Sequence, residues 1–308
     1  GEILFRLASH SPKLLFQDMQ LEASVCGAEA NVSVGLAGFG HACRIVSALP
    51  ANPLGVAART TIEAFGPEVA GPTSGSSRMG LFFLQPGAME RPASVIYDRA
   101  GSAFANADPS EYDWDSLLAG AEWLFVSGIT AALGDMALAA LRHAMGTARD
   151  AGVKIAFDTN FRPTLWQGRE ALAAQVLREL SCEADLLFAG RRATAMMAGG
   201  TFDHADPADG FHAAAETMFA LSPHLKHMTA TRRHVYSTDR QDLTGLLADR
   251  EGISVSKTLA LEHIVDRVGT GDAFAAGGLH GLLEGKSRDE TINFAAASAQ
   301  WAHSVPGE

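Results

Sequence analysis

The sequence predicts an α/β protein whose mainly parallel central sheet is covered by helices on both faces, with a small accessory β-sheet beside it. Three observations predict it. Short apolar runs end at turn or polar residues, helix-period stretches alternate with them, and two β-rich segments break that alternation. A chain of 308 residues, 47% hydrophobic and 19% charged, has the composition of a globular protein with a large core.

The runs "EILFRL", "EWLFVSGI", "VKIAFDTN" and "ADLLFAG" read as buried parallel strands, because each is nearly continuous in apolar residues. Between them, "DMALAALRHAMGTARDAG" and "EALAAQVLRELSCEA" repeat apolar residues every three or four positions and read as helices. The interruptions are "FQDMQLEASVCG", which gives a lid insertion at about 14–25, and the span 76–103, which holds "MGLFFL" and "ASVIYD" around a Pro/Gly turn. We read these as strands of a small sheet able to cover a site as a lid. Beyond Gly199 come short strands around "LKHMTATRRHVYSTD" and "LTGLLAD", then two small-residue helices, "DAFAAGGLHGLLEG" and "RDETINFAAASAQWAHSV". The whole, 1–308, reads as one domain with the lid strands inserted.

A net charge of -11 argues against a broad cationic surface, so no nucleic-acid partner is expected. Cys26, Cys43 and Cys182 are odd in number and lack paired metal-site spacing, which fits a reducing, cytoplasmic location. The N-terminal apolar runs are short and broken by charges, so no membrane span is expected there. His224, His227 and His234 have no acidic ligand at a convincing interval, and no protein-bound zinc is expected. In "LEGKS" the first glycine of a Walker loop would fall where His280 stands, so Lys286 reads as a helix C-terminal charge.

The informative stretch is "VDRVGTGDAF". Gly269 and Gly271 free the backbone to turn N–H groups inward at the start of a helix, where amides and helix dipole together favour a phosphate. Asp272 then stands where a carboxylate accepts a proton from an attacking hydroxyl while the amides offset charge on the transferred group. An ordinary helix start with an acidic first turn would show the same four residues.

This stretch resembles the C-terminal signature of the ribokinase-like carbohydrate kinases, D-T-x-G-A-G-D, with Arg267 and Thr270 as the differences. "CGAEANVSVGLAGFG" is similar to that family's Gly-Gly-Ala-x-x-Asn sugar-binding segment, with Cys26 in place of the first glycine. Within the family, "VIYDRAGSA", "VSGIT" and "DTNFRPTLW" resemble 2-keto-3-deoxygluconate kinases. The resemblance covers essentially the whole chain and implies a three-layer α/β/α domain with a β-sheet lid, ATP and Mg2+ as cofactors with K+ as a further candidate, and a homodimer or larger homo-oligomer. It implies Asp272 as the base; Gly269, Thr270, Gly271 and Asn160 around the ATP phosphates; and Gly27, Ala28, Glu29, Asn31, Tyr97, Arg99 and Arg162 around an acidic sugar. Arginine suits that task because its guanidinium grips a carboxylate with two hydrogen bonds. Thr231 and Arg232 are weaker nucleotide candidates, and Asp266 a weaker candidate for a monovalent cation. No direct protein ligand to a metal is expected.

Departures from the pattern are equally specific. After "ADLLF" the family carries an acidic run that orders Mg2+ and phosphate, whereas this chain has Arg191, Arg192 and Ala193. The Lys-x-Gly-x-x-Gly turn near the nucleotide is replaced by "TATRRHVYS", and Phe82 stands where relatives have a tyrosine. The expected activity is phosphorylation of the terminal hydroxyl of 2-keto-3-deoxygluconate. The alternatives are another acceptor (2-keto-3-deoxygalactonate, fructose, ribose, a deoxy-inositol acid) or a weakly active sugar-binding or regulatory protein on the same scaffold.

Overall fold

The computed structural model describes residues 1–75 and 77–307. Ser76, the expected first residue of the second lid segment, lies outside the described residues, as does Glu308. The chain divides into two compact units: Gly1–Ala107 with Arg232–Thr244 and Lys257–Glu308, and Asp108–Thr231 with Gly245–Ser256.

The first unit begins with β1 (Leu4–Ala8), β2 (Glu22–Cys26), α1 (Ala28–Gly38), β3 (Arg44–Val46), β4 (Leu49–Pro50), α2 (Pro53–Glu63), β5 (Glu68–Ala70), β6 (Thr73–Ser74), β7 (Gly80–Gln85) and β8 (Ser94–Asp98). A four-stranded sheet in the order β2-β1-β7-β8 is its accessory sheet, with β1 parallel to β7 and the other two pairs antiparallel. The run "EILFRL" therefore supplies a strand of the small sheet rather than of the central one. Its burial alternates, with Leu4, Arg6 and Ala8 on the covered face, and such alternation suits a sheet with two unlike faces. The first lid strand is shorter than the expected 14–25. Residues 14–21 form a loop in which Gln17 Oε1 accepts from the Leu14 amide and Gln85 Oε1 from the Leu15 amide.

Two apolar clusters hold this part together. Ile3, Ala30, Ile45, Leu49, Ala58, Ile62, Val69 and Met79 form one, and Leu4, Ala8, Cys26, Phe82 and Leu84 the other, with Tyr97 and Val268 packed against it. The second cluster ties the accessory sheet to the residue just before Gly269.

The second unit holds α3 (Trp114–Leu118), β9 (Trp123–Ser127), α4 (Gly128–Ala132), α5 (Asp135–Asp150), β10 (Lys154–Asp158), α6 (Glu170–Cys182), β11 (Leu186–Phe188), α7 (Arg191–Ala198), α8 (Pro207–Leu221), and parts of β12 (His227–Val235) and β13 (Arg240–Asp249), then β14 (Gly252–Val255). The sheet runs β14-β13-β12-β11-β10-β9. Strands β9 to β12 are parallel, and β14 is antiparallel to β13. Ile155, Ala156 and Phe157 of β10 are fully covered, as a central parallel strand requires. The buried stripe of α5, which includes Leu138, Leu141, Met145 and Ala148, packs on β9 and β10.

The chain returns to the first unit through the remaining parts of β12 and β13. There the leading part of β13 pairs antiparallel with β15 (Leu259–Glu262), and α9 (Thr270–Leu283) and α10 (Arg288–Ala302) follow. A capping box of Ser287 and Glu290 starts α10. The small residues of α9 have a steric reason: a Cβ at Gly281 would lie 2.9 Å from Cα of Thr291, and one at Gly277 2.9 Å from Cα of Ala295. Among the described residues no helix is long and apolar enough to cross a membrane.

Candidate active site

Helix α9 starts at Thr270, with Gly269 as its N-cap in the left-handed region (φ 76°). That conformation strains any residue with a Cβ, so glycine at 269 is what lets the chain turn into the helix. A Cβ built on Gly271 would meet no other protein atom within 4 Å. Packing therefore does not require glycine at 271, whereas the close approach of a ligand to the amides would. The first-turn amides are the orphan donors every helix has, and the dipole adds positive potential. A phosphate group fits this arrangement.

The loop before it is organised by Asp266. Its Oδ1 accepts from the amides of Arg267 and Val268, and its Oδ2 from Arg6 (2.5 Å) and the Gly307 amide. Four donors thus use the Asp266 carboxylate, which shapes the turn. Arg6, buried on β1, was missed in the sequence; its alternation with Leu4 and Ala8 was the available signal.

Thr270, the departure from the family signature, also has a structural explanation. Its hydroxyl donates to the Arg267 carbonyl (3.0 Å) and accepts from Arg233 Nη2 (2.9 Å). Arg233 in turn donates from Nη1 to His303 Nε2 (2.9 Å), while His303 Nδ1 donates to the Ala299 carbonyl. Burial and the nearby Arg267 lower the Arg233 pKa to about 10, so it remains a cation at neutral pH. Burial lowers the His303 pKa to about 4, which keeps that ring neutral and able to accept from Arg233. A guanidinium therefore sits beside the cradle where the sequence had offered Thr231 and Arg232. Thr231 is half-buried in the second unit and Arg232 is exposed; strand alternation turns Arg233 inward instead.

Asp272, half-buried in the first turn of α9, accepts a hydrogen bond from Asn31 Nδ2 at 2.8 Å. Asn31 lies in the first turn of α1, and its Oδ1 accepts from the Gly27 amide (3.3 Å), which fixes the amide's orientation. Gly27 must be small, because a Cβ there would lie 2.3 Å from the Glu2 carbonyl oxygen. Ala28 is half-buried and Glu29 buried at the same helix start. Two segments far apart in sequence, "CGAEAN" and "GTGD", are thus joined by the Asn31–Asp272 side-chain hydrogen bond.

The two expected carboxylate-binding arginines behave differently. Arg99 is 7% exposed and donates from Nε to Glu2 at 2.5 Å, and the Glu2 side chain is 1% exposed. Its charge is spent on a buried partner, so the expectation that Arg99 grips an acidic sugar is revised. Tyr97, two residues earlier, pairs across strands with Phe82 at 6.2 Å between rings, on the cluster that includes Val268.

In the second unit, Arg162 is exposed, just ahead of a short 3-10 turn at Pro163–Leu165, and its guanidinium has no hydrogen-bond or ion-pair partner among the described residues. Asn160 follows β10 with φ 34°, its amide held by Asp158 Oδ1 at 2.9 Å. Asparagine tolerates this region better than most residues, and an outlier at a strand end marks a position worth testing. Where the family's acidic run would fall, Arg191 opens α7 and donates to the Phe202 carbonyl.

A glycine-led helix start with a carboxylate held by an asparagine in its first turn is an arrangement able to move a phosphoryl group. The model of the pfkB family carbohydrate kinases matches residues 1–308, and the chain belongs to that family. It is 30% identical over 308 residues to a 2-dehydro-3-deoxygalactonokinase of Haloferax volcanii, covering 100% of this chain and 91% of that one. It is 27% identical over 286 residues to a 2-dehydro-3-deoxygluconokinase of Bacillus subtilis, covering 92% and 82%. The crystal structure of a 2-dehydro-3-deoxygluconokinase from Thermotoga maritima superposes with a TM-score of 0.91 at 33% identity, covering 100% of this chain and 93% of that one. The protein is thus a sugar phosphotransferase with the ribokinase-like fold.

Proposed function

We propose that the protein phosphorylates the terminal hydroxyl of a 2-keto-3-deoxy sugar acid, 2-keto-3-deoxygluconate first, from ATP. The observation that carries this reading is the 2.8 Å hydrogen bond from Asn31 to Asp272 at the glycine-led start of α9. Asp272 takes the hydroxyl proton, and the Asn31 amide holds its carboxylate in place for that task. The amides following Gly269 receive the negative charge of the transferred group, with the Arg233 guanidinium adding positive potential behind Thr270. When bound, ATP supplies the phosphoryl group and Mg2+ neutralises its oxygens; the open space beside Gly271 suits a polyphosphate held mainly through backbone. Asn160 is kept as a candidate contact for the ATP phosphates, on the family resemblance of "DTNFRPTLW". For K+, the Asp266 carbonyl is the remaining candidate.

An acidic acceptor needs a cation to receive it, and Arg162 is the arginine left available for a carboxylate. The relatives act on both C4 epimers of the keto-deoxy acid by name, and the full-length match to the galactonate kinase keeps 2-keto-3-deoxygalactonate as the second acceptor. The test is Arg162→Ala. The acceptor KM should rise at least tenfold for the keto-deoxy acids and much less for fructose or ribose; equal changes would remove the carboxylate role.

A homodimer through the accessory sheet belongs to the same reading. Its edge strand β8 exposes Val95 and Ile96, and Phe16, Met19 and Met89 are exposed nearby in sequence to its strands. Such an edge is ordinarily covered or paired. Ile96→Lys should shift the species seen by light scattering toward monomer, and an unchanged mass would oppose this interface.

A further inference from the structure

We infer that His41, His280 and Glu284 form a binding site for a transition-metal ion of the zinc class, separate from the phosphoryl-transfer site. One nitrogen from each histidine and one carboxylate oxygen of Glu284 all lie within 4.8 Å of one another. His280 lies in the last turn of α9 and Glu284, four residues on, is that helix's C-cap, its amide donating to the His280 carbonyl. His41 arrives from the turn after α1, where its amide donates to the Leu36 carbonyl and Gly40, at φ 94°, reverses the chain.

The imidazoles already face each other, with His41 Nε2 and His280 Nδ1 2.9 Å apart and ring planes inclined by 60°. Ligand atoms about 2.1 Å from a tetrahedral ion stand roughly 3.4 Å apart, so the pair needs to open by only about half an ångström. The His280 ring is held from behind by Phe39 (5.0 Å) and Phe294 (4.8 Å). Aromatic walls fix the ring while Glu284 stays exposed, leaving the solvent side for a water ligand.

The donor set selects the ion. Two imidazoles and one carboxylate suit Zn2+, Co2+, Ni2+ or Cu2+, whereas Mg2+ prefers all-oxygen shells and keeps its waters. The sequence hid the site because His41 is remote from α9. The ion would link α1 to α9, the two helices that bring Asn31 to Asp272, and so brace the catalytic pair from elsewhere on the same helices.

The test uses the full chain freed of metal by chelator. Zn2+ at about a hundredfold excess over Kd should raise Tm by roughly 5 °C, and Co2+ should give a visible absorption band of low-symmetry coordination. Millimolar Mg2+ should not abolish either signal. Both should be lost in His280→Ala and His41→Ala, kept in a variant of the exposed His143, and shifted to about tenfold higher metal concentration in Glu284→Gln, whose exposed side chain leaves the fold intact. Undiminished Zn2+ and Co2+ responses in His280→Ala and Glu284→Gln, or no response in the parent protein, would overturn the assignment.

Discussion

Replacing Asn31 by leucine keeps the size of the side chain and removes the donor that orients Asp272. The bond is 2.8 Å long and joins an amide to a half-buried carboxylate. Hydrogen bonds to charged groups contribute about 1.5–3 kcal/mol, and each 1.4 kcal/mol of barrier is roughly tenfold in rate. If the bond holds the base in its working position, Asn31→Leu should lower kcat by about ten- to hundredfold or somewhat more. Loss of the other bond of Asn31, in which its Oδ1 accepts from the Gly27 amide, adds a modest stability loss of about 1 kcal/mol, seen as a small fall in Tm. A coupled ADP-release assay with saturating ATP separates the effects: kcat falls, and KM for ATP stays within about twofold. An unchanged kcat with a raised sugar KM would refute the positioning argument and leave Asn31 as a sugar contact alone.

Arg99→Met breaks a buried pair and strands Glu2, which should destabilise by about 3–5 kcal/mol in urea unfolding while altering sugar KM less than Arg162→Ala does. Gly271→Ala should keep the unfolding free energy within about 1 kcal/mol of the parent, since nothing lies within 4 Å of a Cβ there, yet raise KM for ATP by about tenfold or more. Gly27→Ala should lose much of the fold, because its Cβ meets the Glu2 carbonyl at 2.3 Å. Stability should also fall in acid through His303. Its native pKa of about 4 lies below the ordinary value of 6.5, so the unfolded chain binds the extra proton between those values. The contribution is complete above about pH 6.5 and lost as pH drops toward 4, by roughly 1–2 kcal/mol after allowance for solvent screening. His303→Gln should flatten this slope in chemical denaturation.

The central-sheet strands were legible because a parallel strand covered on both faces leaves a continuous apolar run, as in "VKIAFDTN". The start of α9 was legible because glycines and an acidic first turn are local signals. What depended on distant partners was not. "EILFRL" reads like a central strand until its pairing with β7 is known, and Arg99 reads as a ligand-binding charge until Glu2 closes on it. Arg233 and Thr270 explain each other only once β12 lies beside the α9 cap. The "RR" pair in "TATRRHV" offered strand alternation as a hint, but the bonding partner was 37 residues away in sequence.

The most direct test of the account is Mg2+-dependent ADP release by the purified chain with 2-keto-3-deoxygluconate, 2-keto-3-deoxygalactonate, fructose and ribose, run beside Asp272→Asn. The account predicts turnover with the keto-deoxy acids, little with the neutral sugars, and a loss of at least a hundredfold in kcat for the asparagine variant. Equal turnover by parent and Asp272→Asn, or stimulation by none of the four acceptors, would contradict it.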